Sequence, residues 1–188
     1  SVHAPAQALP ADTPASILII GGGAAGNAAA ETLRQEGYAG RITLLSADEA
    51  RPTDRPNLSK GYLAGTAPEE WTILRPAQFY RERGIELRLQ TRVKAIEAAR
   101  SEVVLEDGSR EGYGALLLAT GATPLPRRVP GGDLPQVRYL RTLADSRALV
   151  ERTASARQAV VIGASFIGLE AAASLRARNV AVHVVAPE

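Results

Sequence analysis

The sequence predicts an α/β protein of two Rossmann-like nucleotide-binding units, with parallel sheets and a β-meander, the second unit truncated. Three observations predict it. A strand-sized apolar run, Ile17–Ile20, leads into glycines at 21, 23 and 26 and then into an alanine-rich stretch. The same order of run, turn and helix returns about 140 residues later, from Ala159. Between the two lie short β-type segments joined at an Asp107-Gly108 turn signal.

Ile17–Ile20 is too short for a helix and rich in β-branching, so it reads as a buried parallel strand. Gly21, Gly23 and Gly26 form G-x-G-x-x-G. The first permits a tight turn, the second lets the backbone approach a pyrophosphate, and the third lets helix and strand pack closely. Ala24–Gln35 reads as the helix, ended by Gly37, and Ile42–Leu45 as a second strand. The unpaired N–H groups and positive end of such a helix face phosphates. This strand–helix–strand context turns a common pattern into a prediction of dinucleotide binding. Asp48 and Glu49 follow the second strand, Asp48 lying 27 positions past Gly21. Either is an acceptor for an adenosine ribose or a solvated loop charge, and the residues leave both open.

Residues 1–15 are rich in Ala and Pro and lack the basic start and apolar middle of a signal peptide. They are expected to be a linker or tail, with a tether to another domain and a disordered end both open. Pro52 and Pro56 break Arg51–Gly65 into turns, with a short helix expected over Ser59–Leu63. By composition this is a surface loop, although a lysine such as Lys60 returning to a nucleotide site could meet an electron-poor ring or a phosphate. Trp71–Gly84 fits an amphipathic helix with Phe79 and Tyr80 in the core. Strands are expected at Glu86–Leu89, Val93–Ala98 and Glu102–Leu105, followed by a hairpin and a buried strand, Tyr113–Ala119. That strand runs into Thr120-Gly121, small residues where a parallel sheet opens to its ligand crevice.

A connection with four prolines, Pro124–Pro135, precedes a helix expected over Thr142–Ala154, with Leu143, Leu149 and Val150 on one face. The second unit then reads as strand Ala159–Ile162, turn Gly163–Gly168, helix Leu169–Arg178 and strand Val180–Val185. Its turn is G-x-S-x-x-G, with a serine where the first unit has its middle glycine. Two such units imply two nucleotides. The chain stops at Glu188, just after a strand, so the second unit is expected to be unfinished and the chain a fragment. The expected organisation is a linker over 1–15, a first nucleotide domain over 16–125 and the start of a second over 126–188.

Composition narrows the chemistry. At 188 residues, 45% hydrophobic and 22% charged, the chain can bury a substantial core, and no apolar run approaches membrane-spanning length. A net charge of +2, despite a sequence pI near 9.2, is too small to argue for nucleic acid or an acidic membrane. With no cysteine, the chain holds no disulfide, thiolate metal site, cysteine-ligated iron–sulfur cluster or cysteine redox relay. Its two histidines, His3 in the leader and His183 in an apolar strand, give a metal site little support. No metal is expected.

On these residues the sequence resembles the flavin-dependent ferredoxin, putidaredoxin and rubredoxin reductases, which share their fold with the apoptosis-inducing-factor-like oxidoreductases. The matching pieces are IIGGGAAG, DRPNLSKGYLAG, LLLATGATP, RYLRTLADS and VVIGASFIGLEAA, in order and over most of the chain from Ile17. DRPNLSK, RYLRTLADS and GxSxxGLE together are specific, where ATG and GxGxxG alone are not. The resemblance implies an FAD/NAD(P)-binding fold and an oxidoreductase. It places the FAD pyrophosphate at Gly21, Gly23, Ala24, Ala25 and Gly26, with Arg55 near it and Asp48 as a displaced substitute for an acid often found at the position of Ala47. It places Lys60 at the flavin N5 region, where it can stabilise negative charge on reduced flavin. The backbone of Val93 would touch the adenine, Ala119, Thr120 and Gly121 would line the FAD crevice, and Arg141 would reach the cofactor. Gly163, Ile167, Gly168 and Glu170 would form the NAD(P)H site, Glu170 facing the nicotinamide.

Ala186 stands where relatives carry an acid that prefers NADH, with Glu188 two residues on. No arginine is placed there for a 2′-phosphate, so NADH is expected over NADPH. The resemblance further implies hydride transfer from nicotinamide to FAD and single electrons to an iron–sulfur carrier: a ferredoxin, a rubredoxin or a Rieske domain. The last could belong to the same polypeptide, as in the apoptosis-inducing-factor-like group in which a Rieske domain precedes the reductase. Without cysteine, the disulfide reductases of this fold are excluded as models for the chemistry. The expected setting is cytoplasmic, without nucleic acid or membrane, and the fragment is expected to lack full activity. The rival is a nucleotide-binding, apoptosis-inducing-factor-like binding or signalling protein without efficient turnover. Its mark would be a clustered basic face, which the near-neutral balance argues against.

Overall fold

The computed structural model describes residues 10–126 and 128–186, so Glu188 and His3 lie outside the described residues. In chain order the first elements are β1 (Ser16–Ile20), α1 (Ala24–Gln35), β2 (Arg41–Leu45), α2 (Arg55–Leu58), α3 (Gly61–Ala64), α4 (Ala77–Glu82), β3 (Ile85–Arg88) and β4 (Val93–Glu97). Then come β5 (Glu102–Leu105), β6 (Arg110–Gly112), β7 (Ala115–Leu118), α5 (Leu143–Thr153), β8 (Gln158–Ile162), α6 (Phe166–Ala177) and β9 (Ala181–Val185). The described residues form two compact units, one from the chain up to Pro52 with Leu74–Gly121, the other from Thr53–Ile73 with the chain from Ala122 on.

In the first unit, four strands make a sheet in the order β3-β2-β1-β7, and each of its pairings is parallel. Both faces of β1 and β2 are covered, which explains why these strands read as unbroken apolar runs rather than alternating ones. One face packs Ile19, Ile42 and Leu44 against Ala30 of α1 and Tyr80 of α4. The other packs Leu18, Ile20 and Leu45 against Val103 and Leu105 of the antiparallel meander β4-β5-β6. Asp107-Gly108 turns β5 into β6, with Gly108 at φ +87° and the Ser109 N–H and hydroxyl both donating to the Asp107 carboxylate. Burial of Tyr80 is compatible with its hydroxyl because that group donates to Asn27 Oδ1 at 2.6 Å.

Two expected elements differ. The Trp71–Gly84 helix is interrupted: a 3-10 turn over Glu69–Thr72 is followed by an extended stretch, and α4 begins only after Pro76. Proline disfavours helical backbone at the residue before it, so the helix cannot cross Pro76. The Tyr113–Ala119 strand is shorter as β7: the Tyr113 N–H turns to the Ser101 carbonyl, and only from Gly114, whose N–H reaches Ser16 of β1, does the chain bond to its neighbour strand.

The second unit holds the parallel pair β8-β9, with Ala159, Val161 and Val182 packed toward Leu175, Val180 and Leu63, and Leu149 and Val150 of α5 on the same core. The alternate residues Val160, Ile162 and Val185 face out and are exposed. Helix α5 starts with a capping box: Thr142 Oγ1 accepts from the Asp145 N–H at 3.1 Å and Asp145 Oδ2 from the Thr142 N–H at 2.7 Å. Helix α6 begins at Phe166, three residues before the expected start, with Ser165 in the N-cap position. The helix expected over Ser59–Leu63 is instead two short ones, α2 and α3, with Ser59-Lys60 as the turn between them. Pro56 opens α2, where its missing N–H costs nothing, and Gly65 closes α3 at φ +81°. No described helix is long and apolar enough to cross a membrane.

Candidate functional site

The two glycine turns repeat one geometry. Gly21 has φ +117° and donates its N–H to Leu45 O at 2.8 Å; Gly163 has φ +110° and donates to Val185 O at 2.8 Å. A Cβ on Gly26 would lie 2.0 Å from Gly21 O, and a Cβ on Gly168 2.0 Å from Gly163 O. Each helix therefore crosses its turn with backbone touching backbone, which a side chain would prevent. Gly23 and Ser165, the N-cap residues of α1 and α6, have extended backbone, and neither helix start is closed by a side-chain cap. The first N–H groups of both helices are left to other acceptors.

In the first unit the ends of β1, β2 and β7 converge on this turn. A Cβ on Gly21 would sit 2.1 Å from Ala119 O, and one on Gly22 2.5 Å from the Ser46 side chain. Main chain, not side chain, forms the cradle, and its N–H groups suit the pyrophosphate of FAD. Ala24, Ala25 and Gly26 lie in the first turn of α1. Thr120 and Gly121 follow β7, Gly121 at φ +69°. Asp48 is half-buried beyond β2; its N–H donates to Ser46 Oγ at 3.3 Å and its carbonyl accepts from the Gln90 N–H at 3.0 Å. Val93 opens β4 and packs beside the Leu18 cluster.

In the second unit a cavity of about 300 Å³ is lined by Arg55, Pro56, Leu58, Ser59, Lys60, Leu140, Arg141, Ile167 and Glu170. Five of these, Arg55, Lys60, Arg141, Ile167 and Glu170, are residues the sequence singles out from three separate motifs. Lys60 Nζ lies 3.3 Å from Glu170 Oε1. Ser59, which the motifs do not single out, donates its hydroxyl to Glu170 Oε2 at 2.7 Å. The Ser59 hydrogen bond, and after it Lys60, hold the Glu170 carboxyl below its ordinary value. Gly163 sits in the turn before α6, and Gly168 inside it, two residues before Glu170.

Buried serines fix the turn that carries Lys60. Ser146 Oγ of α5 donates to Leu58 O at 2.8 Å, and Ser174 Oγ of α6 to Ser59 O at 2.7 Å. A second clasp joins the same segment to α5: Arg147 donates to both oxygens of Glu69, at 2.6 and 2.8 Å, and the Tyr62 hydroxyl to one of them at 2.7 Å. The Arg147 hydrogen bonds hold Glu69 down at about 2, and burial with the Glu69 hydrogen bond pushes Tyr62 up to about 12. The sequence does not reveal these pairings: the serine bonds and the Arg147–Glu69 bond span 78 to 115 residues and carry no spacing signal, although Ser146 itself lies in the RYLRTLADS stretch.

Comparison with known proteins agrees with this geometry. The family model described as pyridine nucleotide-disulphide oxidoreductase matches residues 15–188. Rhodocoxin reductase of Rhodococcus erythropolis is 44% identical over 170 residues, which are 90% of this chain and 40% of the relative. A ferredoxin reductase structure from Rhodopseudomonas palustris superposes with a TM-score of 0.86 at 41% identity, covering 90% of this chain and 42% of that one. The putidaredoxin reductase–putidaredoxin covalent complex matches with a TM-score of 0.85 at 38% identity, over 90% of this chain and 41% of that one. The chain thus spans about two-fifths of the length of these relatives. Two nucleotide turns of one geometry and a family match over residues 15–188 establish that the chain belongs to the pyridine nucleotide-disulphide oxidoreductase family.

Proposed function

We propose that this chain is the nucleotide-binding part of a flavoprotein reductase that takes electrons from NADH and delivers them through FAD to a small iron–sulfur protein. The observation that carries the reading is the Lys60–Glu170 pair. A lysine from the DRPNLSK stretch and a glutamate from the second glycine motif meet in one cavity, with Arg55 and Arg141 on its wall. FAD, when bound, accepts an electron pair from a nicotinamide and can release electrons one at a time. The chain's own residues supply binding and charge. The Gly21–Gly26 turn receives the FAD pyrophosphate, Arg55 and Arg141 offset phosphate charge, and Asp48 accepts from the ribose. Val93 borders the adenine, and Ala119–Gly121 line the crevice. Lys60 stands by the electron-poor edge of the flavin, and Gly163, Ile167, Gly168 and Glu170 receive the nicotinamide nucleotide. NADH is favoured over NADPH because Ala186 and Glu188, with no arginine beside them, follow β9.

The carrier is an iron–sulfur protein of ferredoxin, rubredoxin or Rieske type; relatives named as ferredoxin and rubredoxin reductases support the first two. The test is the visible spectrum of the purified chain with added FAD, then NADH, then NADPH. Flavin bands that bleach faster with NADH are expected, followed by reoxidation when a ferredoxin, a rubredoxin or a Rieske domain is supplied. No retained flavin with excess FAD, in this chain and in one extended to the length of its relatives, would overturn the reading.

A further inference from the structure

Glu170 is held by two neighbours of unequal geometry, and the weaker hold is the charged one. The Ser59 hydroxyl donates to Oε2 at 2.7 Å, a short bond to an anion. The Lys60 ammonium lies 3.3 Å from Oε1, beyond the 2.7–2.9 Å typical of a tight ammonium–carboxylate bond. Their settings differ in the same sense. Ser59 is 4% exposed and its carbonyl is tied to Ser174, whereas the Lys60 side chain is 53% exposed. Lys60 also carries four rotatable methylene bonds, and Ser59 one.

We infer that Ser59 is the residue that positions Glu170, and that Lys60 is a releasable partner whose ammonium can leave Oε1 without freeing the carboxylate. The inference rests on the proposed reading of Lys60 and Glu170 as the residues that serve the flavin and the nicotinamide, and deepens it. A lysine serving the flavin edge must swing between its carboxylate and the cofactor, and it can do so only if the carboxylate stays put. The buried Ser59 hydroxyl supplies that fixed point. Ser174 and Ser146, which hold the backbone on either side of it, make the fixed point part of the α5–α6 framework. The other charged groups facing the cavity, Arg55 and Arg141, are cationic and favour the ionised carboxylate whichever neighbour moves.

The test is the titration of the Glu170 carboxyl carbon in 13C-labelled chain without added nucleotide, its signal identified by loss in Glu170→Gln. Ser59→Ala is expected to raise the Glu170 midpoint toward the ordinary carboxylate value, and Lys60→Met to raise it less. Ser59→Cys, which keeps the volume but donates weakly, is expected to behave as Ser59→Ala and replaces it should the alanine variant not fold. A Lys60→Met shift equal to or larger than the Ser59 variant's overturns the inference, as does an unmoved midpoint in both serine variants. Because no nucleotide is present, this result stands apart from whether the chain binds FAD. Where the flavin spectrum also behaves as proposed, Ser59→Ala should make the rate of bleaching by NADH fall with acidification at a higher pH than in the parent, an effect a purely structural serine would not produce.

Discussion

At the residue scale, the glycines of the two turns are not equivalent in what they demand. Gly23 and Ser165 have backbone any residue can adopt, and the second unit accepts a serine there. Gly26 and Gly168 are different: a single added methyl would sit 2.0 Å from a carbonyl oxygen of the preceding turn. The helix would have to move off its strand. Gly26→Ala is expected to destabilise the first unit by about 1–3 kcal/mol, the usual cost of forcing atoms into a packed site, and to abolish flavin retention. Gly168→Ala is expected to spare flavin retention and weaken the response to NADH. Thermal melts and flavin content of the two variants check this, and equal flavin loss in both would contradict it. These positions were legible in the sequence because their requirement is local, set by neighbours within five residues. The role of Ser59 was not: it lies in the DRPNLSK stretch, but its partner is 111 residues away and nothing in the sequence marks the pairing.

At the element scale, regular segments and connecting ones divide the same way. The α1 helix occupies its expected residues, and β1 and β2 match theirs to within one residue, because apolar runs next to glycine leave little choice. The 53–84 stretch departs twice from expectation, at the helices expected over Ser59–Leu63 and Trp71–Gly84. Its proline and glycine spacing allows only turns and helices of four to six residues, and what orders them is tertiary. The Glu69–Arg147 clasp between that stretch and α5 gives a pH signature. Glu69 titrates near 2 in the folded chain, below its unfolded value of about 4.3. Its contribution is therefore complete above the unfolded value and lost as pH falls through the folded one, mostly between about pH 5 and pH 2. Both side chains are more than a third exposed, at 37% and 39%, so solvent limits the contribution to about 0.5–1 kcal/mol. Glu69→Gln should melt below the parent at pH 7 and close that gap by pH 2, followed by circular dichroism. A gap that persists at pH 2 would show that packing, not charge, joins the elements.

At the scale of the whole molecule, the two parallel sheets differ in how completely they are covered. The first is packed on both faces of β1 and β2, while the β8-β9 pair is packed on one and leaves Val160, Ile162 and Val185 exposed on the other. Exposed apolar surface of this kind binds hydrophobic dyes and promotes association. The chain is expected to enhance anilinonaphthalene sulfonate fluorescence several-fold, and a Val160→Thr, Ile162→Thr pair to lower that signal by about half. An unchanged signal in the double variant would place the dye elsewhere. The discontinuity of the second unit has a consequence in time. Glu69 leaves the ribosome 78 residues before Arg147, its partner in the clasp. At ~5–20 residues per second, the 53–73 segment waits roughly 4–16 s with nothing to close upon, while the strands on either side of it in the sequence can already pair. For that interval the nascent chain carries a tethered loop, open to proteases and chaperones, and synthesis speed across those 78 codons governs how long it stays so.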